Sequence, residues 1–168
     1  MGQRLVIQIE KNGEPLANAC YHWSAYTRTA AEMTEQVRGY LDEADKMWSN
    51  FKKAVWALYK TGARFNPAET TRINSDYWNK NNFEFVFDGK EADRNTGLLC
   101  VTEEGMQENV EWEEGRVDID IETNEIYFNV MGVETVEDYL AWNDEPDALK
   151  PDNMPVLDAS EYLEFKEE

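Results

Sequence analysis

Arg116-Val117-Asp118-Ile119-Asp120-Ile121-Glu122 alternates without a break, and after Thr123-Asn124 the stretch Ile126-Tyr127-Phe128-Asn129-Val130 alternates again. Side chains two apart on a strand share a face. Val117, Ile119, Ile121, Ile126, Phe128 and Val130 therefore form one apolar surface, while Arg116, Asp118, Asp120 and Glu122 point the other way. The reading is an antiparallel hairpin with one face in a core and one in water.

Upstream, Arg4 to Glu10 repeats the pattern with Leu5, Ile7 and Ile9. Asn12-Gly13 reverses the chain, and Leu16 to Trp23 returns as a second strand. From Met33 to Lys60 apolar residues recur at three-and-four spacing and stop at Thr61-Gly62. This predicts a long amphipathic helix, or two helices broken near Gly39 to Asp42. Asn66 to Asn82 has no clean period and reads as a long loop. Phe83 to Phe87 and Leu98 to Thr102 read as short strands, Glu103 to Glu111 as a short helix, and Val133 to Trp142 as another helix. The fold class that follows is α+β, a mostly antiparallel sheet packed against the long amphipathic helix. A single domain spans 1–168, with 143–168 an extended acidic tail docked on it through Val156-Leu157 and Tyr162-Leu163-Phe165.

Apolar residues make up 42% of the chain, with 6 Trp, 8 Tyr and 7 Phe, which excludes general disorder. Cys20 and Cys100 lie in apolar surroundings and read as buried free thiols. A basic-then-apolar leader and a long apolar run are both missing, and Val6 occupies the place where a myristoylation signal requires Ser or Thr. The expected location is the cytoplasm of a bacterial host, without membrane contact.

Charge is distributed very unevenly. Residues 1–83 carry 11 Lys and Arg against 9 Asp and Glu, whereas residues 84–168 carry 5 against 26. Such asymmetry adds self-repulsion that folding does not require. The densest part holds Glu103, Glu104, Glu108, Glu111, Glu113, Glu114, Asp118, Asp120, Glu122 and Glu125, interleaved with patterned apolar positions. A rigid surface of this kind can imitate the field of DNA, which carries one charge per roughly 1.7 Å of axis. The competing reading makes these acids plain solubilisers.

Three other constellations carry possible chemistry. Arg4, His22, Tyr26, Lys52, Lys60 and Arg64 belong to a basic, aromatic-rich set suited to a phosphate-bearing ligand such as a nucleotide signal. Of the aromatics near the lysines (Trp48, Trp56 and Tyr59), most are assigned to the core stripe of the helix, Trp48 and Tyr59 by their spacing. Cys20 and His22 alternate with Ser24 and could form an activated thiol in a hydrolase. Asp118, Asp120 and Glu122 resemble a cation cluster, but Thr123 stands where a calcium loop needs glycine, and one His with two distant Cys makes no zinc set. The expectation is therefore no metal, no cofactor and no catalytic residue.

The opening Met1-Gly2-Gln3-Arg4, with Tyr21-His22-Trp23-Ser24-Ala25-Tyr26, resembles the start of small, poorly characterised phage and prophage proteins. The resemblance covers the first 26 residues and implies no particular activity. Small acidic phage proteins as a class include inhibitors of host nucleases, restriction enzymes and CRISPR effectors, some of them DNA-like in charge. The functional expectation is a non-enzymatic acidic inhibitor of anti-defence type. It would cover a basic nucleic-acid-binding surface of a host protein and would not bind nucleic acid itself.

Overall fold

Asn12 and Gly13 both take positive φ, 51° and 84°. This is the left-handed pair that a two-residue hairpin turn demands and that Asn-Gly adopts most readily. The structure, a computed structural model, describes residues 4–22, 24–25, 27–44, 48–73, 97–123 and 125–130. The turn joins β1 (Leu5–Lys11) to β2 (Glu14–Tyr21). Four further strands follow: β3 (Ala63–Phe65), β4 (Gly97–Cys100), β5 (Gly115–Asp120) and β6 (Ile126–Val130). The helices are α1 (Thr27–Ala44), α2 (Asn50–Lys60), the single turn α3 (Glu69–Arg72) and α4 (Glu103–Glu111).

The fold is α+β. Its six strands form one mixed sheet in the order β3-β4-β2-β1-β5-β6. Three pairings are antiparallel, while β1–β5 and β3–β4 are parallel. The β5–β6 hairpin has the expected register, Val117 opposite Phe128 and Ile119 opposite Ile126. Those four residues and Val130 are buried, Ile121 is half-buried, and Glu122 is exposed. Asp118 and Asp120 lie on the opposite face but are half-buried rather than exposed, because neighbouring strands and turns crowd them.

Helices α1 and α2 cover one face. The core there contains Leu5, Ile7 and Ile9 of β1, Ala17, Ala19 and Tyr21 of β2, and Val37, Val55 and Leu58 of the helices. The Tyr21 hydroxyl donates to the Leu58 carbonyl at 3.1 Å. Gly97 accommodates the Tyr21 ring, since a Cβ there would lie 2.7 Å from it.

Two expectations are corrected. The helical run is two helices, as one of the two readings had it, but the break is not near Gly39 to Asp42, which lie inside α1; the second helix starts where Ser49 accepts the Lys52 N–H at 3.3 Å. Apolar spacing runs on through this point, so a cap residue rather than periodicity marks the start. The sheet is also covered on both faces, because α4 packs on the side away from α1 and α2. Asn18 of β2 donates to the Met106 carbonyl (3.0 Å) and to Gln8 (3.1 Å), and Asn109 donates to Asn18 (2.9 Å) and to the Leu98 carbonyl (3.0 Å). These three amides are buried and mutually satisfied, which is what makes them tolerable there. The expected strand at Phe83 to Phe87, the helix at Val133 to Trp142 and the tail 143–168 lie outside the described residues.

Phe128 is among the largest side chains with no exposed surface. Phe128→Ala should lower the unfolding free energy by about 3–5 kcal/mol, read as a reduced urea midpoint at unchanged slope.

Candidate functional site

Helix α4 is built by its flanking residues. Thr102 accepts the Gly105 N–H at 3.0 Å as N-cap, and Glu103 and Glu104 occupy the first turn, where the helix dipole favours negative charge. Beneath the cap lies Glu69, with no exposed surface. Its carboxylate accepts the Val101 N–H (2.7 Å), the Thr102 N–H (2.9 Å) and the Thr102 hydroxyl (2.6 Å) and pairs with Arg72 (3.1 Å). Gly105 has no side chain because a Cβ would come within 2.6 Å of that carboxylate. Arg72 also reaches Glu108 (2.8 Å) and Glu104 (3.4 Å), so one guanidinium serves three carboxylates.

The face of β1, β5 and β6 beside α4 carries Gln8, Glu10, Arg116, Asp118, Asp120, Tyr127 and Asn129. Cross-strand register sets Asp118 between Gln8 and Tyr127, and Arg116 opposite Asn129. Arg116 pairs with Asp118 at 2.8 Å and with Glu113 at 3.6 Å. Desolvation raises the pKa of Asp118, Glu113 and Glu10, with Arg116 opposing the shift in each. Two concavities open here. One of about 440 Å³ lies between α4 and the sheet, over Gln8, Met106 and Arg116. Another, of about 700 Å³, is lined by Glu10, Asp118, Asp120, Glu125 and Tyr127.

Asp120 has a structural duty that sequence reading missed. Its carboxylate accepts the N–H groups of Asn12 (3.2 Å), Gly13 (3.0 Å), Glu122 (3.0 Å) and Thr123 (3.1 Å). One side chain thus ties the β1–β2 turn to the turn after β5. These backbone donors hold its pKa below the ordinary value against a partial burial that acts the other way.

The ten acids of 103–125 therefore fall into distinct groups. Glu104 and Glu108 engage Arg72, Glu113 and Asp118 engage Arg116, and Glu114 engages Arg4 at 3.3 Å. Glu103, Glu111, Glu122 and Glu125 are exposed and have no ion pair among the described residues. Among the described residues Trp112 and Tyr127 are the large apolar side chains left exposed, at 63% and 42%, and both stand among these acids. The Arg4 guanidinium lies over Trp112, 5.4 Å from the ring centre.

The basic set does not come together. Arg4 sits with Trp112 and Glu114 beside α4, while Lys52 and Lys60 are on α2 across the sheet, over Trp48 (5.0 Å) and Tyr40 (5.8 Å). Arg64 of β3 stacks on Tyr59 at 4.7 Å. His22 is in the turn after β2, and Tyr26 lies outside the described residues. Trp48 and Trp56 are half-buried and pack edge-on to each other at 5.3 Å outside the central core, which corrects the assignment of Trp48 to the core stripe, whereas Tyr59 does pack against the core.

Nor does the structure assemble a Cys–His pair. β2 ends at Tyr21, so His22 leaves the alternation, and Ser24 donates to the His22 carbonyl. Burial pushes the Cys20 thiol up to about 11 and the Cys100 thiol to about 12. No group of three or more His, Cys, Asp or Glu among the described residues is placed to hold a metal ion, and no described helix is long and apolar enough to cross a membrane. Comparison with protein-family models, with curated proteins and with solved structures finds no match to this chain.

Asp120→Ala should lower stability at pH 7 by about 1–2 kcal/mol, the freed N–H groups finding water in part. A depressed carboxylate stabilises above its unfolded pKa and loses that contribution as pH falls through its folded one; a raised carboxyl stabilises in the opposite sense. Lowering pH from 7 towards the ordinary carboxylate range should therefore raise the melting temperature through Glu10, Glu113 and Asp118. At still lower pH the difference between wild type and Asp120→Ala should vanish. Scanning calorimetry across pH reads both. Both thiols should react with a disulfide reagent at pH 8 only as fast as the protein unfolds, whereas immediate labelling of Cys20 would restore the activated-thiol reading.

Proposed function

We propose that this protein is a non-enzymatic binding protein that uses its acidic side to cover a basic, nucleic-acid-binding surface of a partner, as a phage-derived anti-defence inhibitor would. The observation that carries this reading is the company the carboxylates keep. Acids that serve only solubility need no exposed aromatic side chains among them, yet Trp112 and Tyr127 stand there. Exposed Trp and Tyr ringed by charge are the usual anchors of a protein interface.

Spacing and rigidity support the same conclusion. Glu104, Glu108 and Glu111 follow one another at four and three residues along α4, about 6 and 4.5 Å apart in rise. A DNA strand places a charge about every 3.4 Å of axis, so the row is sparser than a phosphate backbone by less than a factor of two. The Asn18–Asn109 amide pair and the Glu69 carboxylate fix α4 on the sheet, so the row does not have to be ordered on binding. The partner's Lys and Arg side chains would meet carboxylates where they otherwise meet phosphates, and occlusion would be competitive with nucleic acid.

The test starts from a partner captured from bacterial lysate and a salt series on its affinity. Reversing Glu103, Glu111, Glu122 and Glu125, the exposed acids of 103–125 with no ion pair among the described residues, to Lys should abolish binding with the fold intact by circular dichroism. Trp112→Ala should cost about 2 kcal/mol, near 30-fold in Kd. Added duplex should displace the wild-type protein. A partner that ignores salt, duplex and the charge reversal would leave the acids as solubilisers.

A further inference from the structure

The outer surface of α2 is the reverse of the acidic side. Residues 46–68 contain no Asp or Glu. Lys52 and Lys60 lie against aromatic rings and have no carboxylate partner among the described residues. Around them Tyr40, Trp56 and Trp48 form a half-buried edge-to-face cluster with ring centres 5.5 and 5.3 Å apart, Tyr40 packing against the core and the two tryptophans lying beyond it. The surface offers separated cations on an aromatic bed.

Residues 143–168 have the complementary chemistry. They hold nine Asp and Glu against two Lys, with Tyr162-Leu163-Phe165 set among the acids. The acidic side built by α4 and β5 repels such a segment, whereas Lys52 and Lys60 attract it. Reach presents no obstacle. Residue 143 follows Val130 by 13 positions, about 40 Å of extended chain. Six strands span only about 24 Å from edge to edge.

We propose that segment 143–168 docks on the outer face of α2, its carboxylates on Lys52 and Lys60 and its Tyr162-Leu163-Phe165 side chains on the Tyr40–Trp56–Trp48 cluster. The consequence is that the chain covers the lysines of α2 with its own acids. The inference is independent of what the acidic side binds.

The experiment is zero-length carbodiimide cross-linking of dilute full-length protein, an equal mixture of ¹⁴N- and ¹⁵N-labelled chains, read by peptide mass spectrometry. Lys52 or Lys60 should be joined to carboxylates within 143–168 of the same chain, with yield falling at 0.5 M salt. Cross-links only to carboxylates in 1–142, none at all, or links only between differently labelled chains would overturn the proposal, the last by giving the face to a second copy. A second measurement uses Lys52→Glu/Lys60→Glu, folded by near-ultraviolet circular dichroism. Cleavage after Glu161 and Glu164 by a glutamyl endopeptidase should accelerate at least fivefold over wild type, and an unchanged rate would overturn the docking. Should the double variant fail to fold, the wild-type cross-links decide alone.

Discussion

The parallel ladder between β1 and β5 holds the two unlike halves of the chain together. It pairs Leu5 with Gly115 and continues to Glu10 opposite Asp120, residues about 110 positions apart. Closing so long a loop carries an entropic penalty that local contacts cannot offset. The compensation is burial: Leu5, Ile7, Ile9 and Val117 have no exposed surface and Ile119 almost none. The ladder is closed at both ends by further bonds. At one end the Glu114 and Gly115 N–H groups donate to the Arg4 carbonyl; at the other the Ile121 N–H donates to the Glu10 carbonyl, with the Asp120 carboxylate across both turns. Without this register α4 and β6 would have no common platform.

Electrostatics then decides which acids remain available. Arg4, Arg72 and Arg116 lie within the acidic region, and the latter two are each shared among several carboxylates. Sharing relieves repulsion without cancelling the charge. A folded region can thus stay strongly negative and still be held rigidly, which a uniformly unpaired set of acids would oppose. The shift of Glu113 and Asp118 towards protonation marks the places where desolvation exceeds what one guanidinium returns.

Both hairpins were legible because their signals are local: Asn12-Gly13 for one turn, strict alternation of Val117, Ile119, Ile126 and Phe128 for the other. The break before α2 was not, since apolar spacing continues across it and only Ser49 marks the new start. The second cover of the sheet was hidden for a different reason. Gln8, Asn18 and Asn109 look like surface residues in sequence, and only their mutual satisfaction inside the fold makes them interior ones. Glu69 and Asp120 show the same limit at the site. Within an acid-rich chain a carboxylate that binds backbone N–H groups is indistinguishable by composition from one that faces water. Trp112 carried no periodic signal either, and its exposure follows from its place just past the end of α4.

The sheet also separates two electrostatic environments, and this bears on what a partner would sense. On the α2 side the cations rest on aromatic rings; on the α4 side the arginines rest among carboxylates. A helix axis packs about 10 Å from a sheet and a helix is about 10 Å across, so the outer surfaces of α2 and α4 are roughly 30 Å apart. That exceeds twice the Debye length of about 8 Å at physiological salt. A molecule approaching α4 therefore experiences the local acids and not the lysines behind the sheet. The uneven charge of the sequence becomes two separate surfaces because β1 and β5 lie side by side within one sheet, with cover on both faces.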